Sequence, residues 1–251
     1  ALDDMYQKRN LDPIKYLRTL NTVFMHRPYR KMPETGLAIA YLFALAKGDS
    51  DDQAELSSYC YEAGIEPQQV ITEIKEVIPD IKNFANPDDL NNEAYPMTMA
   101  VFRIFRASRH YRREILDKMA LGSDTMLDLG NLYTAALPAW IAAGLEQALT
   151  ENINLENQEI LTFGYGSGDA AEVIPFKAVT GWENAASKIK FADAMAFTLD
   201  VNKEQYLNLH AGKHVDGLDY KLNNEFTINY IGSSIKNNYQ DMGIEYHKYT
   251  K

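Results

Sequence analysis

Three short segments carry side chains suited to chemistry at a carbonyl. They are Phe24-Met25-His26-Arg27-Pro28-Tyr29-Arg30-Lys31-Met32, Gly130-Asn131-Leu132-Tyr133-Thr134 and Phe163-Gly164-Tyr165-Gly166-Ser167-Gly168. Addition to a carbonyl builds negative charge on its oxygen, and a positioned imidazole such as His26 can donate a hydrogen bond or a proton to it. Histidine suits this work because its unperturbed pKa lies near neutral pH. Asn131, just before an alanine-rich helix, stands where unpaired N–H groups and positive dipole favour polarisation of a thioester carbonyl. Glycines flanking Ser167 allow a backbone N–H to approach an acyl oxygen closely. Each segment alone also has a plain reading: a packed histidine at a strand end, an N-cap asparagine, a hairpin turn. The third segment fits neither a hydrolase elbow, whose serine sits elsewhere, nor a dinucleotide fingerprint, which needs a βαβ unit and a downstream acid.

The elements that must position these residues follow from pattern. Ala1–Arg9 and Pro13–Leu20 have helical spacing, with Ile14, Leu17 and Leu20 on one face. Asn21–Met25 is β-prone and ends at His26. Pro28 is expected to open a helix running to a stop at Gly48. Asp49 to about Pro96 is acidic and helical in two pieces. One long helix is expected from Met97 to Leu121, and another over Leu132–Leu149 with a kink or displaced start at Pro138. Ile160–Phe163 and Ala171–Val179 frame the glycine-rich turn as an antiparallel hairpin. Ala185–Ile189 and Lys203–Leu207 read as helical, Glu225–Ile231 alternates as a strand, and Glu245–Tyr249 reads as a closing strand. Helices around a mixed sheet give an α/β layered architecture.

Bulk properties narrow the function. The 251 residues, 46% apolar, suffice for one or two cored domains. A net charge of −10 argues against a general nucleic-acid binder, which needs a basic face. A single cysteine excludes an internal disulfide. The longest apolar run, Leu37–Ala46, is too short to span a bilayer. The first residues carry no secretory pattern, so a soluble, cytoplasmic protein is expected. Because the chain moves from Ala1 directly into helix-like sequence, it reads as a fragment. Cys60, in acidic surroundings that raise a thiol pKa, is assigned to packing. His210 and His214 are four apart, but Gly212 intervenes and no third ligand is evident, so no metal site is assigned. Arg103, Arg106, Arg109, Arg112 and Arg113 with His110 form a basic helix face.

Taken together, the three segments resemble the active-site parts of the 3-hydroxy-3-methylglutaryl-CoA synthase family, condensing enzymes of the thiolase superfamily. Ala1-Leu2-Asp3-Asp4-Met5-Tyr6 resembles the helix before the histidine strand. Phe226-Thr227-Ile228-Asn229-Tyr230 and Tyr246-His247-Lys248-Tyr249 resemble the closing strands. The family's nucleophilic cysteine and catalytic glutamate precede these segments, and nothing in residues 1–251 matches that region. The resemblance therefore implies the C-terminal half of a thiolase-like fold, with 49–96 as a helical acidic insertion.

That resemblance also implies roles. His26 contacts the acetoacetyl-CoA carbonyl and Asn131 works beside it. The Ser167 N–H supports the acyl-enzyme, Tyr165 lines the pocket, and Lys31 serves the phosphate-bearing end of CoA. Arg27 and Arg30 are candidates to strengthen that anion site, or are solvated surface charges. Pro33-Glu34-Thr35 and Ala135-Ala136 depart from the family pattern, so nothing is carried over to them. The implied reaction joins acetyl-CoA and acetoacetyl-CoA to give 3-hydroxy-3-methylglutaryl-CoA and CoA. It uses no cofactor, relies on an N-terminal half as partner, and takes place in a homodimer. The alternatives are a polyketide β-branching synthase, with the arginine face docking an acyl carrier protein, and a non-catalytic CoA-binding or assembly module.

Overall fold

A computed structural model describes residues 1–78, 94–166, 170–196, 198–213, 215–218, 223–236 and 239–251. Two compact units divide the chain, Ala1–Ala194 and Met195–Lys251.

The first unit opens with α1 (Leu2–Arg9), closed by Asn10 in the left-handed conformation, and α2 (Pro13–Thr19). Asp12 caps α2 by accepting the Lys15 N–H at 3.1 Å, and Pro13 occupies the first turn, where its missing N–H costs nothing. Strand β1 (Thr22–Met25) is buried over Thr22, Val23 and Phe24. It runs parallel to β2 (Glu159–Gly166), with Thr22 beside Ile160 and Met25 beside Phe163. Strand β2 then turns back antiparallel into β3 (Ala170–Lys177), giving a sheet of order β1-β2-β3. Arg9 reaches across to Glu159 at 2.7 Å, and the Tyr16 hydroxyl donates to the same carboxylate, tying both N-terminal helices to the start of β2.

The helix after β1 starts at Lys31 and not at Pro28. Pro28 and Tyr29 form a bend first, another conformation that proline's fixed φ favours. This α3 (Lys31–Lys47) is the central apolar rod, burying Leu37, Tyr41, Leu42 and Leu45. Against it pack α4 (Ser50–Glu62) and α5 (Pro67–Glu76), the two helical pieces of the acidic stretch. Their apolar faces are core: Leu56, Cys60 and Val70 are fully buried. Two of their acids are interior as well. Asp52 pairs with Arg18 at 2.5 Å, and Glu73 accepts the N–H groups of Met97 and Thr98 and the Thr98 hydroxyl.

Those last bonds cap α6 (Pro96–Phe105), whose Phe105 stacks on Tyr41 with 5.4 Å between ring centres. The single long helix expected to Leu121 is interrupted here. Ser108 accepts the Tyr111 N–H and begins a new turn, α7 (Arg109–Tyr111), followed by a π-helical turn (Arg112–Leu116) and a 3-10 turn (Asp117–Met119). Changes of pitch split the arginine face. Arg113 pairs with Glu114, Arg112 with Asp117, and His110 meets Tyr59 at 2.7 Å and Glu55 at 3.2 Å.

A 3-10 turn (Tyr133–Ala135) precedes α8 (Ala136–Thr150), so Pro138 lies in the first turn and displaces the helix start, one of the two outcomes expected. Helix α8 packs on the sheet through Trp140 against Phe24, and the Trp140 indole donates to the Leu121 carbonyl at 2.8 Å. Short helices α9 (Trp182–Ala186) and α10 (Phe191–Met195) follow β3.

In the second unit, α11 (Lys203–His210) is opened by a reciprocal Asn202–Gln205 capping box. Strand β4 (Glu225–Ile231) pairs antiparallel with β7 (Glu245–Thr250), matching the expected strands, with a register shift between Ile228 and Tyr230. Between them lies the small pair β5 (Ile235–Lys236) and β6 (Tyr239–Gln240). Among the described residues no helix is long and apolar enough to cross a membrane.

Candidate functional site

The end of β1 delivers His26 as the spacing of that segment requires. Its backbone N–H donates to the Phe163 carbonyl at 2.8 Å, continuing the parallel ladder one residue beyond the strand. The imidazole then stands at the rim of a cavity of about 300 Å³ lined by Met25, Met32, Pro33, Phe163, Tyr165 and Val173, among others. Almost the whole wall is apolar. The Tyr165 ring centre is 6.3 Å from that of His26, so these two residues, named from separate segments, share one cavity. Among the described residues the imidazole has no hydrogen-bond partner, which leaves its donor free for a bound carbonyl.

The remaining residues are placed differently. Asn131 is exposed and does not line this cavity. Its Oδ1 accepts the Tyr133 N–H at 2.9 Å, an Asx turn that supports Tyr133 in the left-handed region (φ 51°). It therefore does not cap α8, which starts five residues later. Ser167 lies outside the described residues. Lys31 is the first residue of α3 and is exposed, with its neighbours Met32 and Pro33 on the His26 cavity.

Arg27 and Arg30 line a second cavity, of about 250 Å³, with Arg112, Asp117, Ser123, Asp124 and Trp140. Arg27 is 5% exposed. Its guanidinium lies 4.7 Å from the Trp140 ring centre, and one nitrogen donates to the Ser123 carbonyl and hydroxyl at 3.2 and 3.0 Å. Burial, with Arg30 nearby, lowers its pKa from the ordinary value, although it remains a cation. A buried guanidinium over an indole fixes the chain that follows His26, in the manner of a packing group. Arg30 pairs with Glu34 at 3.4 Å on the surface.

Among the described residues, the carboxylate lining the His26 cavity is that of Glu172, which sequence reading did not single out. It pairs with Gly164 across the β2–β3 hairpin. Counting outward from the glycine-rich turn would have put it there, but acids on an exposed strand carry no signal of their own. Cys60 is fully buried, and burial pushes its thiol up to about 11, in keeping with its assignment to packing. Among the described residues no group of three or more histidine, cysteine, aspartate and glutamate side chains is placed to hold a metal ion; His214 lies outside them.

Residues 107–211 match the family model described as hydroxymethylglutaryl-coenzyme A synthase C terminal. No curated protein matches the chain. A solved structure of MvaS in complex with 3-hydroxy-3-methylglutaryl coenzyme A is similar over 93% of this chain, with 16% identity and a TM-score of 0.55. The match spans 42% of the MvaS chain. At that identity the likeness is one of fold, and the mixed α/β, thiolase-like architecture expected from the sequence is the one observed.

Proposed function

We infer, for a chain that carries the C-terminal region of the hydroxymethylglutaryl-CoA synthase family, that it forms part of an enzyme condensing acetyl-CoA with acetoacetyl-CoA. The observation that carries this reading is the imidazole of His26, without a hydrogen-bond partner among the described residues, at an apolar cavity shared with Tyr165. In such a cavity little water competes for a thioester oxygen, so one imidazole donor stabilises developing oxyanion charge far more than it would in bulk water. His26 holds the carbonyl of the second substrate; Asn131, which does not line the His26 cavity, is given no part in this scheme. The Ser167 N–H supports the acyl group on a cysteine supplied, with a general-base glutamate, by an N-terminal half. Lys31, with the neighbouring exposed Arg30, serves the phosphates of CoA, whereas the buried Arg27 takes no part. Residues 49–96 are an insertion in this scheme, and the working enzyme is a cytoplasmic homodimer.

Carrier-protein docking draws no support from the arginine face. Two of its members, Arg112 and Arg113, are engaged with Asp117 and Glu114. Binding of acetoacetyl-CoA to this chain by calorimetry tests the reading. His26→Ala is expected to weaken binding at least about tenfold, as loss of a hydrogen bond to a charged or strongly polarised group does. Mixed with the companion half, the same variant is expected to lose nearly all condensation. Unchanged affinity and unchanged turnover would remove His26 from the chemistry.

A further inference from the structure

The His26 cavity continues along α3. A second cavity, of about 320 Å³, adjoins it, and Ala1, Leu2 and Gly36 line both. On the sheet side the register sets Met25 beside Phe163 and Phe163 beside Val173, so these three apolar side chains share one face of the sheet, and all three line the first cavity. Helix α3 approaches that face at Gly36, where there is no side chain to close the passage. A Cβ built there would stand 3.3 Å from Met25 Cε. Beyond Gly36 the wall is carried on by Ile39, Ala40 and Phe43 of α3 and by Tyr6 of α1. Gly36, Ala40, Phe43 and Lys47 recur three and four apart, on one side of the helix. The rise from Gly36 to Lys47 is about 16 Å. At that far end Lys47 pairs with Asp3 at 3.0 Å, and both line the second cavity. A trough walled mainly by hydrocarbon thus starts at His26 and stops at an ion pair.

From this continuity we propose that the trough along α3 holds the tail of an acyl thioester longer than acetoacetyl, with its carbonyl at His26 and its methyl end toward Phe43. The proposal rests on the reading of the His26 cavity as an acyl-thioester site, and it names a substrate class for that site: thioesters of linear, apolar acyl chains. The occupant follows from where the trough begins. A chain whose first carbons lie between Met25 and Phe163 has one apolar continuation, past Gly36, and there it exchanges water for Ile39, Phe43 and Tyr6. Burying a methylene completely strengthens binding about fourfold. Ile39, Ala40 and Phe43 are themselves half-buried, so the gain expected along this stretch is about twofold to fourfold for each methylene. A charged or amide-bearing tail is disfavoured in the same place, because desolvating it there is not repaid by hydrogen bonds.

Calorimetry of the chain with acetyl-, butyryl-, hexanoyl- and octanoyl-CoA, at concentrations where none of them self-associates, reads the trough directly. Affinity is expected to climb about twofold to fourfold per methylene through the series. Ala40→Phe fills the second cavity, which Ala40 lines, without touching the lining of the first. It should reduce the whole gain from butyryl- to octanoyl-CoA to less than about twofold. That gain is a ratio taken within one protein, so a variant that folds only in part lowers both affinities and does not imitate the effect. A flat series in a parent chain that binds acetoacetyl-CoA overturns the proposal and leaves the acyl-thioester reading standing. A rising series that Ala40→Phe leaves unchanged overturns it too, since the tail then lies elsewhere. Failure of the parent to bind any of these thioesters, acetoacetyl-CoA included, overturns both.

Discussion

Gly122 is where the loop after the π turn meets α8, and replacing it tests how closely the two backbones approach. Its φ is +69°, and a Cβ there would lie 2.4 Å from the Gly144 nitrogen, 2.8 Å from the Gly144 Cα and 2.9 Å from the Ala143 carbonyl carbon. All three are backbone atoms, so no rotamer change relieves the clash. Gly122→Ala therefore incurs two penalties: about 1–2 kcal/mol for an L-residue in the left-handed region and about 1–3 kcal/mol for overpacking, together about 2–5 kcal/mol. Gly64 isolates the first. It has φ +71° and nothing within 4 Å of a built Cβ, so Gly64→Ala should cost only the strain, about 1–2 kcal/mol. Both positions lie in the unit Ala1–Ala194, and Trp140 and Trp182 report its unfolding in urea by fluorescence. Gly122→Ala should lower the midpoint clearly more than Gly64→Ala at equal slope. Equal losses would show that the loop and α8 do not touch, and would undercut the Trp140–Leu121 and Arg27–Ser123 bonds that depend on the same loop.

Three further outcomes follow. The Arg9 hydrogen bond, with that of Tyr16, holds the Glu159 carboxylate below its ordinary pKa against the opposing effect of burial. That bond's stabilisation is present above the unfolded carboxylate value of about 4.3 and is lost as pH falls through the lower, folded value. Melting temperatures of the parent and Glu159→Gln should therefore converge in acid, and a constant gap down to about pH 2 would refute the coupling. Cys60, buried with its thiol pushed up to about 11, should resist a thiol reagent in the folded chain and react on addition of urea; equal rates in both would place it at the surface. Gly164→Val, which adds a side chain on the lining of the His26 cavity where a built Cβ meets only the Glu172 carbonyl oxygen at 3.9 Å, should leave the melting temperature within about 3 °C, as expected for a change of less than about 1 kcal/mol, while weakening acetoacetyl-CoA binding severalfold. Undiminished binding would move the acyl group away from Gly164.

Local chemistry made some of this legible in advance. The β-prone run before His26, the Gly48 stop and the strand ending at Ile231 each rest on short-range signals, and each is observed. The long helix to Leu121 failed because nothing in Arg106-Ala107-Ser108 resembles glycine or proline. Only the Ser108 side chain, turning back to cap Tyr111, ends one helical stretch and starts another. The site divides in the same way. His26 and Tyr165 come together because parallel pairing of β1 with β2 joins residues far apart in sequence, a contact that the resemblance supplied and periodicity alone would not. Arg27 was read as a charge for solvent or phosphate, whereas it lies against Trp140. The four-residue strand preceding it has too few alternations to say which way the next side chain turns. Glu172 had no local mark at all.

The carboxylate that α5 lends to α6 has a practical consequence. Glu73 fixes where α6 begins from 24 and 25 positions upstream, by holding the Met97 and Thr98 N–H groups. Whatever joins the two helices is thereby relieved of specifying that start. The start of α6 is thus set by tertiary contact, and a chain shortened to begin after α5 would lose that anchor together with the helix that carries it.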